Sequence, residues 1–317
     1  MLILDIPCIG DSQNKRHENR AGDVERRVAT QSDAIADLGR RLRAARIGAG
    51  LTPDRLAELA GVSRAAIYRY EAGHPIRVDT LGRIADRLGV SIASFLGVEV
   101  EYIASAASFF ERMRQIEETA ERISVMFGPV SYLLTTDHYD ELLPDVLRES
   151  VPNDIVDHDE ALAQVDRVVE VLRARKRAYR ARRPNVVSLI SAAELQTFCA
   201  VGFVGTQAMA GDPSRVAAAR AELDNIAHML EAEPMGVQLG VLLDSMPGSS
   251  FQLFRAGDSA DLAISPFRLG AFANVRLGVA MITAAPDAVA QHEAITGQLW
   301  KRSLKGRDAA DCLRAML

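Results

Sequence analysis

The chain has 317 residues, of which 48% are hydrophobic and 25% charged, with a formal net charge of −5. Such proportions suit a globular protein with a real core, and the length suits two domains, or three if one is small. The acidic balance excludes a polycation that holds nucleic acid over its whole surface, so any such partner requires a local basic patch.

The opening decapeptide MLILDIPCIG has no basic segment and is interrupted by Asp5. A secretory signal is therefore not expected. No apolar run approaches the length of a membrane span. The three cysteines, Cys8, Cys199 and Cys312, are far apart and form no CxxC pair. That supports neither a zinc site nor a disulfide framework and fits a reducing compartment. The expectation is a soluble cytoplasmic protein with no membrane partner. Residues 11–33 are polar and lack an apolar period, so 1–33 is expected to be a flexible arm.

Residues 34–97 are expected to form a compact unit of short helices. Thr52 can cap a helix that starts at Pro53, with Leu51 and Leu56 as a hydrophobic staple. Leu56, Ala57, Leu59 and Ala60 form its inner face, and Gly61 can supply a left-handed turn at its end. Ser63 then caps a second helix, with Val62 and Ile67 as a second staple. Two short helices joined at Gly61 make a helix-turn-helix, with Ala57 small at the crossing and Ile67 pinned to the core. The unit holds ten arginines and six acidic residues, a net of +4, which leaves −9 for everything else.

The stretch GLTPDRLAELAGVSRAAIYRYEAG, flanked by LRAARIGAGLT and DTLGRIADRLGVSIASFL, resembles the helix-turn-helix of the phage-repressor, or Xre-like, family. The resemblance spans about Ile35 to Gly97. It implies a small all-α domain of five helices whose second motif helix enters the major groove of double-stranded DNA. By position, the residues it turns toward DNA are Arg64, Ala65, Ala66, Tyr68 and Arg69. The arginines would take guanine O6 and N7, an alanine a thymine methyl, and Tyr68 the phosphate backbone. The backbone amides at Thr52 and Ser63 would hold phosphates. Arg46 and Glu71 match a structural ion pair of the family. One departure is Pro53, where the family often has a glutamine that helps to hold phosphate.

Residues 98–317 are expected to form a larger mixed α/β (α+β) domain. A helix near 105–127 carries a seam of Phe109, Met113, Ile116, Ala120, Ile123 and Phe127 at heptad spacing, which can pack on its own domain or on a second copy. A second helix holds Leu162, Val165, Val168, Val169, Leu172 and Tyr179 and is stopped by Pro184. NVVSLI (185–190) reads as a strand, and Ser191 with Glu194 as a capping box for the next helix. Asp212-Pro213 starts another helix, with Val216, Leu223, Ile226 and Leu230 inward. GVQLGVLLD (236–244), FQLFR (251–255), DLAIS (261–265) and VRLGVAMIT (275–283) read as strands. Pro286 opens a helix to about Leu304, and a short helix ends the chain.

No catalytic or metal motif emerges from this part. The histidines His17, His74, His138, His158, His228 and His292 have no metal spacing. VDHDEA (156–161) reads as an acidic helix start rather than a metal site. GFVGTQAMAG (202–211) lacks the Gly-Lys-Ser/Thr of a phosphate loop. MPGSSF (246–251) lacks GxSxG and reads as a hairpin turn. RARKRAYRARR (173–183), with seven basic residues, reads as a solvated helix end, the alternatives being DNA backbone contact or an anionic partner. Phe198, Phe203, Met209, Leu239, Leu242 and Phe254 could line a ligand pocket but read as core.

The segments SYLLTTDHYDELL, RARKRAYR followed by NVVSLISAAEL, and ELDNIAHMLEAEPMGVQLGVLL resemble, over about 105–265, the regulatory domain that follows the same motif in many actinobacterial regulators. Ser131-Tyr132 departs from the Pro-Gly found there. The expected function is therefore a sequence-specific DNA-binding transcriptional regulator, acting as a repressor and as a homodimer on a two-fold-symmetric operator. Its larger domain would sense a small-molecule effector or a partner protein, with no cofactor or metal. The rival readings are an antitoxin-like regulator whose larger domain binds a partner protein, and an enzyme with an accessory DNA-binding domain.

Overall fold

The computed structural model describes residues 37–96, 100–126, 128–243 and 248–317. The arm expected over 1–33 lies outside the described residues, as do residues 34–36 and 97 of the small unit.

The small unit is all helical: α1 (37–48), α2 (Pro53–Ala60), α3 (Arg64–Glu71), α4 (Val78–Leu88) and α5 (Ile92–Leu96). Thr52 Oγ1 accepts from the Arg55 amide at 3.2 Å and Ser63 Oγ from the Ala66 amide at 3.1 Å, so both motif helices start where their capping residues dictate. Gly61 sits at φ 66°, in the left-handed region that lets the chain turn between them. Leu42, Leu56, Ile67, Leu81, Ile84 and Phe95 close a common core. Burial of a side chain such as Ile67 contributes about 1.5–3 kcal/mol. Leu59, expected inside, is only half-buried.

The larger domain is built on a seven-stranded mixed sheet. Its strands are β1 (Glu101–Ile103), β2 (Arg122–Met126), β3 (Asn185–Ser191), β4 (Val237–Leu242), β5 (Ser250–Ala256), β6 (Ser259–Ser265) and β7 (Ala280–Thr283), in the order β1-β7-β6-β5-β2-β3-β4. β2, β3 and β4 run parallel, and the other neighbours pair antiparallel. The helices are α6 (Ala106–Glu117), α7 (Asp137–Glu149), α8 (His158–Arg182), α9 (Ala192–Val201), α10 (Pro213–Ala232), α11 (Pro286–Arg302) and α12 (Gly306–Arg314). Ile123, Val125, Val186 and Phe254 pack on one face with residues of α6 and α8. Leu189, Phe251, Leu253 and Leu262 point to the other face, against Val289 and Leu299 of α11. α9, α10 and α12 share a further core with Ile190, Leu239 and Val241.

Three expectations are corrected here. The heptad seam is not one helix: α6 ends at Glu117, and Ile123 belongs to β2 between β3 and β5. Phe109 and Met113 are fully buried in their own domain, so this seam offers nothing to a second copy. MPGSSF does not join a hairpin, because β4 and β5 are separated in the sheet by β3 and β2; residues 246 and 247 themselves lie outside the described residues. The last strand begins only at Ala280, since Asn274 accepts from the Arg276 and Leu277 amides and holds 274–277 in a loop. Phe198, Phe203, Leu239, Leu242 and Phe254 are core residues, as read, whereas Met209, read with them, is only half-buried.

Candidate nucleic-acid interface

α3 has two faces. At 3.6 residues per turn, Arg64, Ala65, Tyr68 and Arg69 fall within about 140° of its circumference, while Ala66, Ile67, Tyr70 and Glu71 occupy the rest. Arg64, Ala65, Tyr68 and Arg69 are exposed, and Ile67 is fully buried. Ala66 is buried at 8% exposure, because it follows the inward face rather than the outer one. Any thymine contact therefore falls to Ala65. The larger domain leaves this face open: the Arg64 side chain is 60% exposed.

Two devices fix α3 on its scaffold. The first is the Arg46–Glu71 pair. Arg46 Nε donates to Glu71 Oε1 at 2.5 Å and Nη2 to Oε2 at 3.0 Å, while Nη1 donates to the Leu51 carbonyl at 2.8 Å. The guanidinium thus ties α1, α3 and the entrance to α2 in one fork. The second is Gly39 on α1. A Cβ there would lie 2.6 Å from the Tyr70 carbonyl oxygen and 2.8 Å from that of Glu71. Only a glycine lets α1 cross the end of α3 this closely.

The outer face is organised before any partner arrives. Arg64 Nη2 donates to the Tyr68 hydroxyl at 3.2 Å, and its guanidinium carbon lies 5.4 Å from the Tyr68 ring centroid. Arg64 Nε is also 3.3 Å from Asp54 Oδ1, in the first turn of α2. The Tyr68 hydrogen bond and then the Asp54 charge raise the Arg64 pKa, so it stays cationic under all ordinary conditions. Asp54 escaped the sequence reading, because its contact bridges two helices; the only local hint was an acidic residue next to the phosphate-facing end of α2. The amides of Thr52 and Ser63 stand at the starts of α2 and α3, where helix N-termini favour anions. Arg69 is exposed on the same face and forms no ion pair among the described residues.

The other basic cluster takes a different role. Arg175 and Lys176 are each 2% exposed. Arg175 donates to both oxygens of Glu117, at 3.1 and 2.5 Å. Lys176 Nζ donates to Thr135 Oγ1, the Thr136 carbonyl and Asp140 Oδ2, at 2.8–2.9 Å. Arg180 pairs with Asp137, and Arg182 donates to the Glu117 and Ala120 carbonyls. Arg175 and Lys176 thus bolt α8 to α6 and α7, while Arg173, Arg177, Arg180, Arg182 and Arg183 are exposed, so the rest of the stretch is the solvated helix end expected from the sequence. At the start of α8, Asp159 and Glu160 are exposed, and Glu160 pairs with Arg167. No group of three or more metal-ligating side chains occurs among the described residues. Among them, no helix is long and apolar enough to cross a membrane.

A capped pair of helices joined at Gly61, with an arginine-bearing outer face, defines a DNA-binding domain of the helix-turn-helix class. Residues 42–103 match the helix-turn-helix family model, and this part of the chain is an Xre-type domain of that family. The match runs past α5 into β1. The chain is a DNA-binding transcription regulator with a larger α/β domain behind its reader. Among solved structures it is similar to TrmBL2, an archaeal chromatin protein described as showing a novel mode of DNA binding. Identity is 10% over 80% of this chain and 88% of that one, with a TM-score of 0.29, too low to speak for a shared fold or function. No curated protein matches the chain.

Proposed function

We propose that the protein is a repressor that binds a two-fold-symmetric operator as a homodimer through α3. The observation that carries this reading is the outer face of α3, where Arg64 and Arg69 stand exposed on a helix locked from behind by Ile67 and the Arg46–Glu71 fork. An arginine fork matches guanine O6 and N7, while the amides at Thr52 and Ser63 and the Tyr68 hydroxyl suit phosphates. One helix of eight residues reads too few base pairs to single out a site. Two copies related by a two-fold axis would read half-sites about 34 Å apart. The larger domain would supply the dimer contacts and the regulatory input. We infer a regulatory rather than a catalytic role for it, a reading supported by buried charges such as Arg175 with Glu117 and Lys176 with Asp140 that serve each other as structural ties.

The test is binding to DNA from upstream of the protein's own gene across a salt series, with wild type beside an Arg64→Ala/Arg69→Ala variant. Wild type should protect a symmetric site, and the variant should keep only weak, salt-sensitive association. Wild-type and variant curves that coincide on every sequence would remove α3 as the reader. Sedimentation that gives a monomer at micromolar concentration would remove the homodimer.

A further inference from the structure

Where the reader meets the larger domain there is a cavity of about 460 Å³. Ala44 and Ala45 of α1, Val90 and Phe95 form one wall, and Ile103 and the start of α6 form the other. The size lies within the range of small-molecule sites, about 300–1,000 Å³, and such sites favour domain boundaries. Its floor is charged yet self-contained. Arg112 donates to the two oxygens of Glu101 at 2.8 and 3.0 Å and to Gln115 Oε1 at 2.9 Å. Arg41 donates to Glu101 Oε1 at 2.6 Å and to the Phe95 carbonyl at 3.2 Å, and Asp37 pairs with both arginines. With each charge already answered inside the protein, a charged occupant would lose its water and gain no counter-ion. The side chains that remain for an occupant are apolar, apart from the hydroxyls of Ser91, Tyr102, Ser105 and Ser108. Ser105 Oγ accepts from the Ser108 amide at 3.3 Å, and its own hydroxyl proton can still be donated.

We propose that this cavity binds a neutral, largely apolar small molecule bearing a hydrogen-bond acceptor for Ser105, and that the molecule is the regulator's effector. Only the word effector rests on the regulatory reading above. The occupant would touch α1 of the reader and β1 and α6 of the larger domain together. It therefore favours whichever arrangement of the two it fits best, and with that the spacing of two readers on DNA.

The binding test needs no DNA, so it stands or falls apart from the regulatory reading. The full chain is titrated with N-phenyl-1-naphthylamine, a neutral apolar fluorophore, and in parallel with its anionic relative 1-anilinonaphthalene-8-sulfonate. Ala49, just past α1, and Val279, just before β7, are exposed residues that line the cavity at its rim. Ala49→Trp and Val279→Trp should therefore fold normally, as far-ultraviolet circular dichroism would verify. The expected result is saturable binding of the neutral probe, at about one per chain. Each rim variant should weaken it about tenfold or more, and the anionic probe should bind at least about tenfold less tightly than the neutral one. Unsaturable binding, equal binding in both rim variants, or parity of the two probes would overturn the proposal. So would probe binding that disappears as the chain self-associates with rising concentration, which would give this face to a second copy.

Discussion

Replacing Glu71 with alanine tests how the reading helix is held. Arg46 is 9% exposed, and Glu71 supplies two of the three hydrogen bonds its guanidinium makes. In Glu71→Ala the arginine would keep only the Leu51 carbonyl and remain an uncompensated buried charge. Breaking such a pair from one side costs about 3–5 kcal/mol, whereas replacing both partners with apolar groups of similar size is often neutral. The double variant Arg46→Met/Glu71→Leu should therefore be more stable than Glu71→Ala alone. The assay is native-state hydrogen exchange of the amides in α2 and α3, which isolates the reader from the larger domain. Glu71→Ala should lower protection of these amides by about two to four orders of magnitude, and the double variant should restore most of it. A Glu71→Ala cost below about 1 kcal/mol, with no recovery in the double variant, would show that the fork works as an ordinary surface ion pair.

Three further outcomes follow from the same structure. Gly39→Ala should destabilise the reader by about 1–3 kcal/mol through overpacking, since the new methyl would meet the Tyr70 carbonyl; urea unfolding followed by helical circular dichroism checks this. Arg175→Ala should cost the larger domain about 3–5 kcal/mol by stranding Glu117, with the reader's exchange protection unchanged, so loss of DNA binding in such a variant would not identify a DNA contact. Burial raises the Glu222 pKa above its usual 4.5, and this prevails over the Thr136 hydrogen bonds and the Lys176 charge that lower it. A raised carboxylate pKa favours folding below the unfolded value, and that contribution is lost as pH climbs through the folded value. The urea midpoint of Glu222→Gln should therefore improve relative to wild type between pH 4 and 7; a constant offset across that range would contradict the assignment.

How far the chain could be read depended on the sequence distance over which each signal acts. The reader was accessible from Thr52, Pro53, Gly61 and Ser63, because a cap or a left-handed turn is settled within three or four residues. Arg46 with Glu71 was reachable only through resemblance, and the inward turn of Ala66 needed the packed helix itself. In the larger domain, β3, β4, β5 and β6 were visible as apolar runs, whereas β2 was hidden inside a helical period. Ile123 fits a heptad as well as it fits a strand, and its pairing with β3 and β5 decides the matter. α7 was concealed by Pro144, which cannot donate to the Asp140 carbonyl one turn back. Arg173, 33 residues further on, donates to that carbonyl at 3.5 Å instead.

The basic stretch 173–183 shows the same physics in its strongest form. Seven cations in eleven residues read locally as a wet surface, because burying an unpaired charge is prohibitive. The fold buries two of them, Arg175 and Lys176, whose partners Glu117, Thr135 and Asp140 lie 36–58 residues earlier in the chain. Pairing removes the objection to burial. Two members of a cluster that composition marks for nucleic acid thus become an internal brace of the larger domain and its other five stay on the surface, whereas Arg64 and Arg69 of α3 are exposed arginines behind which the fold has placed a rigid support.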